Sequence, residues 1–185
     1  LFTQEVKMIK IIVRNAVIDD AEVLTKIHSD GWNYAYRGIF SDTFLDKRIN
    51  PSVFSEQVAK RLESIVNKKE TDIYLTATNE NGRVIGFADG GFGDNGFGFG
   101  PMYELKGLYI NPDFIGFGIG KILVTEFAHR VKAQGADKFI IGCLSENKSC
   151  GFYEKIGGKK IKEFKNEKLE NLSETYYEFD VKKFD

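Results

Sequence analysis

Residues 108–123 read LYINPDFIGFGIGKIL and constrain the fold more tightly than any other stretch. An apolar strand, Glu104 to Ile110, runs into an Asn111-Pro112-Asp113 turn. Glycines then recur at Gly116, Gly118 and Gly120, where a helix predicted over Gly118 to Gln134 begins. Glycine admits backbone conformations that a Cβ forbids and lets the chain approach a ligand closely. A helix start leaves its first N–H groups without intrahelical partners and carries partial positive charge. A strand feeding such a start is suited to a phosphate.

Three phosphate-binding patterns compete for this stretch. A P-loop requires G-x-x-x-x-G-K-[ST]. With Gly120-Lys121 as its end, the first glycine would fall on Ile115 and the hydroxyl on Ile122, so the pattern fails twice. The dinucleotide fingerprint G-x-G-x-x-G accepts Gly116 and Gly118 but meets Lys121 at its third glycine. What remains is x-x-G-x-G after a strand and a proline turn, which on its own is equally a flexible strand-to-helix connection.

A second stretch decides between these readings. Residues 138–158 read KFIIGCLSENKSCGFYEKIGG. A short apolar run, Phe139 to Cys143, precedes Asn147, then Phe152-Tyr153-Glu154-Lys155 and Gly157-Gly158. Taken together, in this order and spacing, the two stretches resemble the acetyl-coenzyme A loop and the following strand, Asn and F-Y-x-K-x-G helix of the GNAT acyltransferase superfamily. The resemblance extends from about Met8 to Phe184. It implies an α/β fold, a central mixed β-sheet flanked by helices.

Composition bounds the rest. The 185 residues are 42% hydrophobic and 29% charged, as in one ordinary globular domain. A net charge of −1 gives no basic excess for nucleic acid. No apolar run approaches the roughly 20 residues that span a bilayer. Two cysteines, Cys143 and Cys150, make no secreted disulfide framework. A cytoplasmic protein follows as the expectation. Residues 8–184 read as a single domain, and residues 1–7 as a disordered or non-native leader ahead of Met8.

In chain order, Ile9 to Arg14 reads as a strand and Asp19-Asp20 as the start of a helix to about Tyr34. Ser41 or Asp42 caps a short turn through Leu45. Phe54, Val58, Leu62, Ile65 and Val66 mark an amphipathic helix. Asp72 to Thr78 and Val84 to Ala88 form a hairpin about Asn81-Gly82. Residues 86–100 hold seven glycines in fifteen, and their middle reads as a mobile strand-to-strand loop. The alternative is a flap closing Phe92, Phe97 and Phe99 over an acceptor. Phe139 to Cys143 is a strand parallel to the previous one, because a helix lies between. Asn147 to Ile156 is a helix, and Lys159 to Phe164 with Thr175 to Val181 a C-terminal hairpin.

The resemblance assigns roles. Acetyl-coenzyme A, as co-substrate, docks on Ile115, Gly116, Phe117, Gly118, Ile119, Gly120 and Lys121 through backbone N–H groups. The family's loop opens with Gln or Arg, here Ile115, and has a basic residue where Phe117 stands, so side-chain help with phosphate is reduced. The pantetheine arm pairs with the backbone of Leu108, Tyr109 and Ile110, a β-augmentation whose N–H groups also serve the oxyanion. Asn147 hydrogen-bonds the arm, although Asn is equally a helix N-cap. Tyr153, a phenol titrating near about 10, is the general acid, the alternative being a core tyrosine. Glu104 is the base that frees the amine, directly or through a water, the alternative being a solvated strand residue. No metal is implied.

Trp32, Tyr36, Arg37 and Asp89 are the expected acceptor-binding residues. The pattern W-x-x-A-Y-R-G-I resembles family members near the spermidine/spermine acetyltransferases. Carboxylates such as Asp89 suit a polyamine, whereas Arg37 suits an acceptor carrying a carboxylate. A cysteine acyl-enzyme lacks a histidine partner. The expectation is an N-acetyltransferase acting on a small primary amine, polyamine-like, by direct transfer in a ternary complex. Rival readings are a coenzyme A sensor without catalysis, or action on an antibiotic or a protein N-terminus. The C-terminal hairpin offers a surface for a homodimer.

Overall fold

The computed structural model describes residues 10–185. The expectation for residues 1–7, and Met8 and Ile9 as the start of the first strand, lie outside the described residues. The described chain folds in the order β1 (Ile11–Asn15), α1 (Ala21–Tyr36), α2 (Asp42–Ile49), α3 (Phe54–Val66), β2 (Ile73–Asn79), β3 (Val84–Asp94), β4 (Pro101–Ile110), α4 (Ile119–Ala133), β5 (Lys138–Leu144), α5 (Ser149–Lys155), β6 (Lys159–Asn166) and β7 (Leu172–Asp180). The strands make one mixed sheet in the order β1-β2-β3-β4-β5-β7-β6. Only β4 and β5 run parallel, because α4 crosses between them.

The two faces follow from the alternation along each strand. On one face Leu75, Ala77, Ile85, Ala88 and Leu105 pack against Leu123, Val124, Phe127 and Val131 of α4. Tyr153 of α5 joins the same cluster with Cys143, Tyr177 and Phe179. The apolar stripe of α4 is fully buried, and each such large side chain contributes about 1.5–3 kcal/mol. On the other face Leu24, Ile27 and Ile65 of α1 and α3 cover Phe87. β6 is an edge strand, and its lysines 159, 160, 162 and 165 are of the kind that discourage further edge pairing.

Three local expectations are corrected. The stretch 86–100 is mostly strand: β3 runs to Asp94 and pairs with β4 as far back as Pro101, leaving 95–100 as the connection. Its glycines serve the ladder, since a Cβ on Gly90 would lie 2.0 Å from the Glu104 carbonyl oxygen at a register shift. The short turn at Ser41 is a two-turn helix, α2, with Ser41 Oγ accepting the Phe44 N–H. Three helices, not two, therefore precede β2. α5 begins at Ser149 rather than Asn147.

Candidate functional site

β4 and β5 pair at only two positions, Tyr103 with Phe139 and Glu104 with Ile140. Beyond them the strands part. β4 continues to Ile110 along β3, and β5 continues to Leu144 along β7. The edge of β4 from Leu105 onward, including Leu108, Tyr109 and Ile110, has no ladder partner on the β5 side among the described residues. Open edge of this kind accepts an extended ligand by main-chain hydrogen bonds.

The glycine stretch lies at the far end of that edge. A 3-10 turn, Pro112–Phe114, leads from β4, with Asn111 Oδ1 accepting the Asp113 N–H. Gly116 and Gly118 take φ of 91° and 79°, values that L side chains rarely adopt. The first backbone bond recorded in this stretch joins the Ile122 N–H to Gly118 O at 3.2 Å. The N–H groups of residues 116–121 have no intrachain acceptor among the described residues. They form a surface nest at a helix N-terminus, the arrangement that holds phosphate. Ile115 and Phe117 stand open to solvent beside it, 45% and 47% exposed. Ile119 is buried in the core, and Gly120 faces Phe152 of α5, where a Cβ would come within 3.2 Å. The Lys121 side chain lies with Ile11 and Val13, on the face of α4 turned toward β1.

Where the strands part, a cluster of hydroxyls and thiols gathers. Tyr153 is buried, and burial holds its phenol well above 10, with Cys143, Tyr36, Tyr109 and Cys150 around it. Tyr36 packs against the Asn147 side chain, and burial pushes its phenol up to about 12. Asn147 is buried; its Oδ1 accepts the Ser149 N–H at 2.9 Å across Lys148, which holds the N-cap position of α5. Tyr109 receives the Trp32 indole N–H at 2.9 Å. His28 packs edge-on to Tyr109 and is held down to about 4 by burial and by Arg61 and Arg48, so it is neutral.

Glu104 lies on the face turned toward α1. Its pKa is raised, by burial first and by Glu174 second, against the pull of Lys106. Glu174 of β7 is raised likewise by burial and accepts the Asn166 side-chain N–H at 2.8 Å. Glu174 and Tyr176 fold over Gly142 of β5, where a Cβ would come within 2.9 Å of one and 2.7 Å of the other. Phe97 and Phe99 of the short connection pack on Tyr176, with Phe164 stacked beside it. Lys162 reaches over Phe99 and Phe164 and donates to the Phe97 carbonyl. Sequence reasoning missed Glu174 and Tyr176. Their only signal was the alternation of β7, which does not say what they face.

Two expected acceptor residues are engaged by other side chains. Arg37 is exposed and fully engaged, with Asp42 at 2.9 Å, Asp46 at 3.1 Å and Asn33 at 2.7 Å. Asp89 lines a cavity of about 300 Å³ between the sheet and helices α1 and α3, whose wall includes His28, the ring packed against Tyr109. Burial raises its pKa, and Arg61 sits 3.5 Å away. Trp32 and Tyr36 do meet the central cluster, through Tyr109 and Asn147.

A family model described as Acetyltransferase (GNAT) family matches residues 34–158. Spermidine N(1)-acetyltransferase of Thermoplasma acidophilum is 26% identical to the chain over 152 residues, 80% of this chain and 87% of that protein. The crystal structure of the PaiA N-acetyltransferase from Thermoplasma acidophilum in complex with coenzyme A superposes with a TM-score of 0.74 at 24% identity. The match covers 92% of this chain and 99% of that one. The structure of yncA from Salmonella typhimurium, a putative acetyltransferase with its cofactor acetyl-CoA, gives 0.65 at 18% identity. It covers 93% and 94% respectively.

Proposed function

The chain belongs to the GNAT acetyltransferase family, and on that premise we propose that residues 8–184 transfer an acetyl group from acetyl-coenzyme A to a primary amine of a small, polyamine-like molecule. The observation that carries this is the gap between β4 and β5, with unpartnered N–H groups at its mouth and Glu104, Asn147 and Tyr153 about it. The gap and the nest fit the group. Residues 116–121 would hold its phosphates, and Leu108, Tyr109 and Ile110 with Asn147 its arm. When bound, acetyl-coenzyme A supplies an activated acetyl thioester.

The chain's own residues then handle protons and charge. An ammonium has no lone pair, so the acceptor must lose a proton before it can attack. Glu104, with a pKa above the ordinary carboxylate value, is a stronger base than a free carboxylate and is the group to take that proton. Tyr153, kept neutral by burial, holds the proton that the departing sulfur needs. N–H groups on the open edge of β4 receive the developing charge on the carbonyl oxygen.

The acceptor class is read from charge. Glu104 and Glu174 lie beside Tyr176, Phe97 and Phe99, a setting that suits a cation. Arg37, the group that suited a carboxylate, is bound to Asp42 and Asp46 instead. The relative named as a spermidine N(1)-acetyltransferase supports the same class. A second reading, a coenzyme A sensor, is favoured by the exposed apolar Ile115 and Phe117 in the nest.

Free-thiol release from acetyl-coenzyme A across spermidine, spermine, amino acids, aminoglycosides and short peptides tests the proposal. Release that depends on a polyamine and falls about 100-fold in Tyr153→Phe is the expected result. Tight binding of acetyl-coenzyme A with no release for any amine would establish the sensor instead.

A further inference from the structure

Two free thiols meet at the turn between β5 and α5, and the mechanism above uses neither. Cys143 is buried near the end of β5, and Cys150, in the first turn of α5, is partly exposed. Both sulfurs point at one oxygen, the Leu144 carbonyl, at 3.6 and 3.2 Å. The same carbonyl accepts the Asn147 N–H at 2.9 Å. Sharing this acceptor sets the two thiols side by side, in contact range of each other's charge. That contact, with the Tyr177 hydroxyl and Lys160, outweighs burial and Glu154 and brings the Cys150 thiol down to about 7. The contact and burial push the Cys143 thiol up. A thiolate is the reactive form, so one member of the pair is reactive and reachable while the other is shielded beside it.

We propose that this pair is a thiol-modification site in which a low-molecular-mass disulfide reacts at Cys150 and Cys143 closes an intramolecular disulfide. In the first step Cys150 sulfur attacks one sulfur of the disulfide. The old S–S bond breaks and one thiolate leaves, taking up a proton. In the second step Cys143 sulfur, giving up its proton, attacks Cys150 sulfur, and the second thiol departs. Two protein thiols are oxidised, one disulfide is reduced to two thiols, and no other reagent is consumed.

The bridge has a structural consequence. It removes both S–H donors from the Leu144 carbonyl and draws the first turn of α5 toward the end of β5. Asn147 lies in the turn that is bridged, and Tyr153 lies one helical turn beyond Cys150. Closure therefore shifts the two residues to which the acetyl-transfer reading gives the cofactor arm and the acid. This consequence rests on that reading; the thiol chemistry does not.

The experiment treats the protein with hydroxyethyl disulfide and, separately, with the disulfide of coenzyme A. Intact mass and alkylation with iodoacetamide count the thiols. Wild type should lose both alkylation sites, gain no adduct and drop by the mass of two hydrogens. Cys143→Ser, or Cys143→Ala if the serine disturbs β5, should stop at a mixed disulfide on Cys150, and Cys150→Ser should stay unmodified. Closure should lower acetyl transfer about 100-fold, as misplacing a positioned group by about an ångström does, and dithiothreitol should restore it. Two alkylatable thiols left in wild type, or no adduct on the Cys143 variants, would overturn the proposal. Bridging that leaves acetyl transfer unchanged would overturn its regulatory part. If the bridge closes in a protein that transfers no acetyl group, the thiol site stands and the enzymatic reading fails.

Discussion

Asp20 and Glu104 are two carboxylates in the same sheet-and-helix body, and their surroundings push them in opposite directions. Asp20 is 4% exposed, and burial alone would raise its pKa. It is held low instead by a paired guanidinium, with Arg14 at 2.6 and 2.8 Å, by the Val17 N–H at 2.9 Å and by the Thr76 hydroxyl at 3.3 Å. Glu104 is partly buried with no cation paired to it among the described residues, and burial first, then the nearby Glu174 carboxylate, raises its pKa against the pull of Lys106. A fully satisfied charge ties β1, α1 and β2 together. A poorly satisfied one stores basicity where the sheet opens. Environment, not residue type, separates a structural acid from a candidate base.

Glu104→Gln should break the comparison most sharply. We expect kcat/KM to fall by about 10²–10⁴-fold, the usual worth of a positioned base, in steady-state thiol-release assays. Stability should hold or rise at neutral pH. The sign follows from a folded pKa above the ordinary value: ionised Glu104 disfavours folding above that pKa, and the cost disappears as pH falls and the group is protonated. A urea midpoint lowered by this substitution would sink the reading of Glu104 as an unsatisfied charge.

Asp20→Asn should do the converse. Breaking a buried pair costs about 3–5 kcal/mol, and Arg14 is 38% exposed on its side chain, so about 2–3 kcal/mol is expected here. Turnover per folded molecule should be unchanged. Because the folded pKa of Asp20 is depressed, its contribution is complete above the unfolded value of about 3.9 and lost as pH falls through the lower folded value. Urea titrations of wild type and variant should therefore converge in strong acid, and a gap that persists there would refute the assignment.

Glu174→Gln sharpens the comparison by a smaller step. Removing the neighbouring charge should lower the Glu104 pKa and move the acidic limb of kcat/KM to lower pH. It should also raise KM for an acceptor carrying two cationic centres more than for a monoamine. An acidic limb that does not move would separate the two carboxylates. Smallest of all, Arg37→Ala should leave kcat/KM within about twofold and the urea midpoint nearly unchanged, since its ion pairs are exposed.

Much of this architecture is legible in local sequence. Asn111-Pro112 followed by Gly116 and Gly118 dictates a strand, a turn and an unpaired helix start, because each signal acts within a few residues. Asn147 and Tyr153 were singled out through the family resemblance, and the fold adds that both are buried where β4 and β5 part. The stretch 86–100 was misread because glycine weakens strand propensity, while here the ladder partners across β3 and β4 override it. The partners of Asp89 and Arg37, Arg61 and Asp42, were not legible, because an acid or a base in sequence does not disclose its partner.

By itself, then, the sequence determined the strand–turn–helix unit with its row of free N–H groups and the residue types at the centre of the site. Tertiary structure alone decided which groups meet. β7 inserts beside β5, so Glu174 and Tyr176, more than 30 positions along the chain, lean over Gly142 beside Glu104. β4 and β5 separate after two pairs, and the turn after β5 sets Cys150 against Cys143. Strand register fixes these meetings, and register depends on long-range pairing and core burial, which no local spacing encodes.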